Sequence, residues 1–313
     1  MKAILFVQLL VISLAGSAAE DFAGPVRLIG NVEHAPINEM SGIVKSRRFD
    51  GVYWVHNDSG DAARIFAVNR TGKVIIPQYV QQSFYGETVQ AGKEVWPGLE
   101  ILLAANQDWE DIAVDDEYIY IADAGNNGNA RRDMGVYILY EPNPRQILSS
   151  RILKYLPIRY PEQQEYPAKV WHYDNEGMFF WNDRLYFLSK HRKPGQIAGW
   201  EAGAVLYRLD TEHIDRVNLL ERVDDNQDIT LATGADVSPN GAKLAILSYT
   251  ALWLFDQPRR GDKWLSGQAY KLDINLAHTK QAEAVCWDDD DTLLITNEGG
   301  EIFEVKIADI PAL

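Results

Sequence analysis

The chain has 313 residues, of which 46% are hydrophobic and 24% charged; this is the composition of a folded protein and excludes a disordered chain. With 30 basic and 45 acidic residues the formal net charge is −15, so nucleic acid is not an expected partner, whereas a cation is. The single cysteine, Cys286, excludes an intramolecular disulfide, a cysteine-rich zinc site and a CxxC redox centre.

The N-terminus has the three parts of a secretory signal peptide. Lys2 precedes an apolar run at 3–14, and small residues follow at 15–19. We therefore predict a signal peptide at residues 1–19 and a mature chain, 20–313, that is periplasmic or secreted. The apolar run is too short to cross about 30 Å of hydrocarbon, and no later segment is long and apolar enough, so no membrane span is expected in the mature chain. Export without disulfides favours a bacterial periplasm.

Five segments of the mature chain share one pattern. Each begins with a small or acidic residue, continues into a short apolar strand, turns at Asp, Asn, Gly or Pro, and returns in a strand of aliphatic and aromatic residues. A third strand with a central aromatic or aliphatic core follows in each unit. The segments begin at Ser41, Glu110, Glu176, Thr233 and Glu283.

Four-stranded antiparallel units repeated around an axis make a β-propeller, in which ring closure protects the strand edges. We therefore predict an all-β fold, a single β-propeller domain of five blades, and a monomer. Residues 26–32 are expected to add an outer strand to the last blade and close the ring. A degenerate sixth blade is the alternative for 78–105, and a β-sandwich is the alternative fold. Short helices are expected only near 143–149 and 212–217.

The innermost strand of each propeller blade lines the central channel, so equivalent repeat positions form a ring. Antiparallel pairing brings the start of each first strand and the end of each second strand to one end of this channel. Crowded carboxylates stay ionised together only beside a cation. Oxygen ligands without cysteine favour a hard divalent ion, Ca²⁺ foremost. The predicted metal ligands are Asp58, Glu110, Asp123, Glu176, Glu283 and Asn297.

Basic and aromatic residues near the same channel end are candidates for binding a small anionic ligand. They are Arg131, Lys190, His191 and Tyr249. A structural reading of the ring remains open, in which the acids cap strands and Lys190 neutralises them without a metal.

The motifs HNDSGD, DWEDIAV, IADAGNN, DNEGMFF, TGADVSPNG and QAEAVCW resemble a group of exported bacterial β-propeller proteins of mostly unassigned function. This group is related to the SdiA-regulated domain and to proteins labelled with the esterase-like activity of phytase. The resemblance covers residues 39–305 and implies a propeller, export and calcium. The acidic channel end is more distantly similar to gluconolactonase and paraoxonase propellers, in which a divalent cation polarises a lactone or ester carbonyl. Ser41, Thr233 and Lys190 depart from that pattern.

Two functions follow from these observations. One is a non-catalytic propeller that binds a divalent cation together with a ligand or a protein partner. The other is a calcium-dependent hydrolase of a phosphoester, ester or lactone, with Glu176, Lys190 and Asp123 as candidate catalytic residues. The sequence has no GxSxG, HExxH, Walker A or GxGxxG motif, and this lack of a visible nucleophile favours the binding protein slightly.

Overall fold

The structure, a computed structural model, describes residues 24–313. The predicted signal peptide at 1–19 lies outside these residues. The described part is almost entirely β-structure, with one short α-helix, α1 (Leu276–Thr279), and two 3-10 turns, Gln78–Val80 and Ile307–Asp309. Within it, every helix is too short to cross a membrane.

The first twelve strands are β1 (Arg27–Asn31), β2 (Met40–Lys45), β3 (Tyr53–Asn57), β4 (Arg64–Val68), β5 (Phe84–Tyr85), β6 (Glu94–Val95), β7 (Leu99–Leu102), β8 (Trp109–Val114), β9 (Tyr118–Asp123), β10 (Gly135–Tyr140), β11 (Ser149–Arg151) and β12 (Lys154–Arg159). The remaining strands are β13 (Trp171–Trp181), β14 (Arg184–Lys193), β15 (Gln196–Trp200), β16 (Ala202–Leu209), β17 (Asn218–Leu219), β18 (Glu221–Thr230), β19 (Ala232–Val237), β20 (Lys243–Ser248), β21 (Ala251–Asp256), β22 (Ala269–Asp273), β23 (Ala282–Asp289), β24 (Thr292–Asn297) and β25 (Glu301–Lys306).

These strands form five blades, numbered here from the N-terminus. From the centre outwards, the first blade is β2-β3-β4-β7, the second β8-β9-β10-β12, the third β13-β14-β16-β18 and the fourth β19-β20-β21-β22. The fifth is β23-β24-β25-β1. The short strands β11 and β17 add parallel outer edges to the first and second blades, and β15 pairs with β14. Each inner strand contacts the next around the ring, so the predicted five-bladed propeller is confirmed.

The N-terminal strand closes the ring, as expected for residues 26–32. β1 pairs antiparallel with β25, and Arg27 forms an ion pair with Glu304 across this junction. Val26 and Val32, which flank the strand, are both buried. The last blade is therefore built from both ends of the described chain, which removes the free sheet edges that an open array would leave.

Residues 78–105 do not form a sixth blade, so that alternative is wrong. They contain the turn at Gln78–Val80, the two-residue strands β5 and β6, and β7, which is the outer strand of the first blade. None of these strands reaches the channel, because the segment has no long apolar run that would act as an inner strand. The excess length is a connection within one blade.

The two predicted helices are also wrong. The chain turns at 144–146, strand β11 begins at Ser149, and 212–217 contains a bend. In both segments polar side chains bind the backbone and replace helical hydrogen bonds. Asn143 Oδ1 accepts from the backbone N of Arg145 at 3.0 Å, and Asn218 Oδ1 accepts from the backbone N of His213 at 2.8 Å.

The hydrophobic core consists of five clusters, one between each pair of neighbouring blades. This follows from strand geometry, because successive side chains point to opposite faces of a blade and both faces are covered. In the third blade, for example, Phe187 packs towards the second blade and Tyr186 towards the fourth.

The channel is closed a short distance below its mouth, which is the end where the inner strands begin. Asp111 Oδ2 accepts hydrogen bonds from the backbone N of Met178 (2.7 Å) and of Ala235 (3.4 Å), which belong to the third and fourth blades. A Cβ atom at Gly177 would lie only 2.9 Å from the Cβ of Ala235, so the inner strands meet at contact distance there. The mouth is therefore a closed-ended cup.

Candidate cation site at the channel mouth

All five inner strands carry a β-bulge at the same repeat position. In the first blade Met40 pairs with Asn57 and Gly42 with His56, which leaves one residue of β2 without a partner. Such an extra residue breaks the ladder locally and re-aims its side chain. The five bulged residues are Ser41, Glu110, Glu176, Thr233 and Glu283, the entry positions identified from the sequence.

A cavity of about 220 Å³ lies at the mouth of the channel, and we call it the mouth cavity. Four of the five bulged residues line it; Thr233 does not. Its charged lining consists of the acids Glu39, Asp58, Glu110, Glu176, Glu283 and Glu298 and the cations Lys190 and Arg192. The cavity is thus strongly acidic, with two fixed positive charges on the third blade.

Two consecutive positions at the end of each second strand face opposite ways, whereas the sequence pattern treated residues from both positions as one ring. Residues paired with the position before each bulge are Asn57, Asp123, Ser189, Ser248 and Asn297. The residues that come next in the chain are Asp58, Ala124, Lys190, Tyr249 and Glu298, and four of these line the mouth cavity. Successive residues of a strand face opposite ways, so the first set points away from the cavity.

Asp123 and Asn297 accordingly hold loops and do not line the mouth cavity. Asp123 Oδ1 accepts from Arg131 Nη2 at 3.0 Å and from the backbone N of Asp108 at 3.1 Å. Asn297 Nδ2 donates to the backbone O of Thr279 and to the Glu301 carboxylate, at 2.9 Å and 2.6 Å. Arg131, bound to Asp123, is also absent from the cavity lining.

His191 lies outside the cavity as well. Its ring stacks on that of His172 with 3.8 Å between the centroids, and its Nδ1 faces the backbone O of Ala202. Burial, and then the neighbouring His172, lowers the pKa of His191 to about 4. The ring is therefore neutral at ordinary pH and offers no charge to an anion.

Three carboxylates from the first and second blades meet at one side of the mouth cavity. One oxygen each of Asp58, Asp108 and Glu110 lies within 4.8 Å of the others. Trp109, which lies between Asp108 and Glu110 in the chain, is fully buried in the core and donates to the backbone O of Ala105. Its two neighbours extend to the opposite side, where their carboxylates approach each other and that of Asp58.

Glu110 is the central residue of this group. It is only 7% exposed, and in residues 24–313 its carboxylate has neither a hydrogen-bond donor nor an ion-pair partner. Gly125 allows this arrangement, because a Cβ at that position would collide with the carboxylates of Glu110 and Asp108. A buried carboxylate is normally paired, so the arrangement suits an added cation.

The electrostatics of the group point the same way. Burial, and then the charge of Glu176 and Asp58, raises the pKa of Glu110 well above its ordinary value. Burial, and then Asp58 and Asp174, raises the pKa of Asp108 to about 7. A divalent cation among these groups would favour their ionised forms and reverse the shifts.

The third blade supplies the opposite side of the mouth cavity. Lys190 Nζ lies 3.0 Å from Glu176 Oε1 and 5.1 Å from the ring centre of Tyr249. Arg192 donates through Nε to Asp174 Oδ2 at 2.6 Å and through Nη2 to Glu176 Oε1 at 3.3 Å. Burial opposes the charge of Lys190, yet the adjacent Glu176 raises its pKa, so the ammonium stays charged.

The fourth and fifth blades complete the wall. Tyr249 donates its hydroxyl to Glu283 Oε1 at 3.0 Å. Gln281 Nε2 bridges Glu283 Oε1 (3.1 Å) and Glu298 Oε1 (2.6 Å). Burial, and then Glu283, raises the pKa of Glu298 to about 7.

Sequence reasoning brought together Asp58, Glu110, Glu176, Glu283, Lys190 and Tyr249, and the structure places these six in one cavity. It missed Asp108, Asp174 and Gln281, whereas Arg192 belongs to the basic run that begins at Lys190 and was expected at this channel face. The three missed residues stand two residues before a bulged glutamate, as Glu39 does before Ser41. Residues two apart in a strand share a face, so this common offset was a signal that could have found them.

Comparisons with known proteins assign no family to the chain. No family model matches the chain, and no curated protein matches it, so the resemblance to the SdiA-regulated group is not supported.

Solved propellers match over most of the chain. Myxococcus xanthus glutaminyl cyclase is 11% identical with a TM-score of 0.46, covering 92% of this chain and 97% of its own. A Thermus thermophilus protein described as an oxidoreductase (glucose dehydrogenase) is 10% identical with a TM-score of 0.46, covering 90% and 98%. A protein assigned as a gluconolactonase is 11% identical with a TM-score of 0.42, covering 93% and 94%. At identities near 10%, these proteins are only what the chain is similar to, and neither a family nor an activity follows from them.

Proposed function

We propose that this protein binds a divalent cation, calcium foremost, through Asp58, Asp108 and Glu110, and that the cation holds a small ligand in the mouth cavity. The observation that carries the proposal is the buried carboxylate of Glu110, which has no partner in the described part of the chain and lies within 4.8 Å of two further carboxylates. Burying an ionised carboxylate without a partner is costly, and a bound cation removes that cost.

The chemistry of the three ligands favours calcium. All are carboxylates, and among residues 24–313 neither a histidine nor a cysteine belongs to the group; this donor set suits Ca²⁺ better than Zn²⁺. Three protein ligands leave several of the six to eight calcium positions for water or for oxygens of a ligand. Lys190, across the cavity, adds an ammonium that can donate to the same ligand, which supports an anionic or carbonyl-bearing compound.

Calcium titration of EDTA-treated protein tests the proposal. We expect heat of binding by calorimetry and a higher melting temperature with added CaCl₂. Glu110→Gln is expected to weaken binding about tenfold or more, equivalent to about 1.4 kcal/mol. Glu117→Gln, which removes an exposed carboxylate at the other end of the channel, is the matched control and should bind as the wild type does. No calcium response in the wild-type protein would refute the proposal.

A calcium-dependent hydrolase is the second candidate, and the position of Lys190 favours it. Its side chain is 3% exposed, and its ammonium contacts Glu176 and has no further hydrogen-bond acceptor in the part of the chain described. It could therefore stabilise an oxyanion while the cation polarises the same phosphoester, ester or lactone. We expect calcium-dependent hydrolysis of p-nitrophenyl acetate, p-nitrophenyl phosphate or a γ-lactone, reduced by Lys190→Met and not by Lys193→Met. If the calcium-bound protein turns over none of these three substrates, the hydrolase candidate is refuted and only the binding function remains.

Export to the periplasm or medium is part of the proposal and rests on residues 1–19. Calcium is abundant outside the cell, where a site of moderate affinity would be filled. Sequencing the N-terminus of the purified mature protein tests this, and a chain that still begins at Met1 would contradict it.

A further inference from the structure

A second carboxylate cluster overlaps the first at Glu110. One oxygen each of Glu110, Asp174 and Glu176 lies within 4.8 Å of the others. Glu110 therefore belongs to two groups of three carboxylates, one shared with Asp58 and Asp108 and one with the third blade. A carboxylate common to two adjacent acidic groups is the arrangement found where two cations sit about 3.5–4 Å apart.

Two protein cations already occupy the second group. Lys190 Nζ is 3.0 Å from Glu176, and Arg192 contacts both Glu176 (3.3 Å) and Asp174 (2.6 Å). The first group has no such partner, since neither lysine nor arginine contacts Asp58, Asp108 or Glu110 among residues 24–313.

The charge balance of the two groups is therefore unequal. Glu110 is counted here in both groups. The first group then has three carboxylates, no basic partner within residues 24–313 and a formal charge of about −3, whereas two basic side chains leave about −1 on the second. Both basic residues are fixed in place. Lys190 is fully buried, and Arg192 also donates through Nη1 to the backbone O of Ile197 at 2.8 Å, which ties it to β15.

We infer that Lys190 and Arg192 take the place of a second metal ion, so that a site with carboxylates for two cations accepts only one. This inference rests on the proposed cation site and defines its stoichiometry. The mouth cavity then presents two unlike positive groups to a ligand: an exchangeable metal ion held by the first two blades, and a fixed ammonium held by the third. A ligand oxygen placed between them would contact both.

Calcium stoichiometry of the purified protein tests the inference, with Ca²⁺ alone as the probe. Calorimetry and equilibrium dialysis are expected to give one ion per wild-type chain and two per chain of the Lys190→Met/Arg192→Met variant. Removing both cations leaves Asp174 and Glu176 unpaired, so calcium is also expected to raise the melting temperature of this variant more than that of the wild type. The control Lys193→Met/Arg222→Met removes two exposed charges from the same blade and should bind one ion.

The possible results separate this inference from the proposed function. Two ions in the wild type, or one in the folded double variant, would overturn the inference and leave the cation site standing. No ion in the wild type would refute the proposed function itself. If circular dichroism shows that the double variant does not fold, Lys190→Met alone is measured instead. It removes one of the two basic partners of Glu176 and keeps Arg192, so a second ion is expected to bind more weakly, and a single ion in this folded variant would also overturn the inference. The number of ions bound by the wild-type protein tests the inference even if neither variant folds.

Discussion

The closed end of the cup depends on Asp111, and its removal should destabilise the whole ring. Its carboxylate accepts from the backbone N of Met178 (2.7 Å), of Ile112 (2.8 Å) and, more weakly, of Ala235 (3.4 Å). These donors belong to three different blades and are buried. An unsatisfied buried donor costs about 1–3 kcal/mol. Asp111→Ala leaves two well-formed hydrogen bonds unmade, so we expect a loss of about 2–6 kcal/mol in the free energy of unfolding.

Urea unfolding followed by tryptophan fluorescence measures this loss. Asp111→Asn keeps one acceptor oxygen and places an amide group against the remaining donors, so its loss should be intermediate. Asp228→Ala, which removes an exposed carboxylate, is the control and should change stability by less than about 0.5 kcal/mol. A loss below about 1 kcal/mol for Asp111→Ala would show that the inner strands hold together without this carboxylate, and the account of the closed channel would be wrong.

Three further predictions concern the mouth cavity. Gly125→Ala should weaken calcium binding about tenfold by calorimetry, because the new Cβ displaces the carboxylates of Glu110 and Asp108; unchanged affinity would contradict the role of that glycine. Calcium binding at pH 6.5 should release protons, because the pKa of Asp108 is raised to about 7 in the free protein and a cation favours its ionised form; the observed heat should then vary with the ionisation enthalpy of the buffer, and a buffer-independent heat would refute this. Tyr249→Phe should cost about 0.5–1.5 kcal/mol in thermal unfolding, because it loses the hydrogen bond to Glu283 and keeps the ring below Lys190; a neutral effect would contradict that contribution.

The blades were predictable because their signals are local and repeated. The third strand that the repeat predicts for the first blade is β4, Arg64–Val68. In that strand, as in its counterparts, apolar residues fill both faces, since each blade is covered on both sides by its neighbours. The segment 78–105 was not predictable in the same way, because its short strands β5 and β6 pair only with each other and leave no repeat-wide pattern.

The candidate site was predicted less completely, and the reason is one residue of strand register. The pattern placed Asp123 and Asn297 in one ring with Lys190. Each of the first two in fact pairs with the residue before a bulge, whereas Lys190 comes one position later. A shift of one residue exchanges the two faces of a strand. Spacing alone cannot show which residue of a bulged strand lacks a partner, so the sequence predicted only part of the lining of the mouth cavity.

Ser41 and Thr233 are the two bulged residues without a carboxylate, and each contacts the bulge of the next blade. Ser41 Oγ donates to the backbone O of Glu110 at 3.0 Å, and Thr233 Oγ1 donates to the backbone O of Ala282, next to Glu283, at 2.9 Å. Each hydroxyl therefore braces the bulge of the following blade, where a glutamate faces the mouth cavity. The apparent departures from an acidic ring are thus contacts that position its acids. If so, Ser41→Ala should weaken calcium binding through Glu110 although Ser41 is not a proposed ligand, whereas Thr233→Ala, two blades away from the cation, should leave the affinity unchanged.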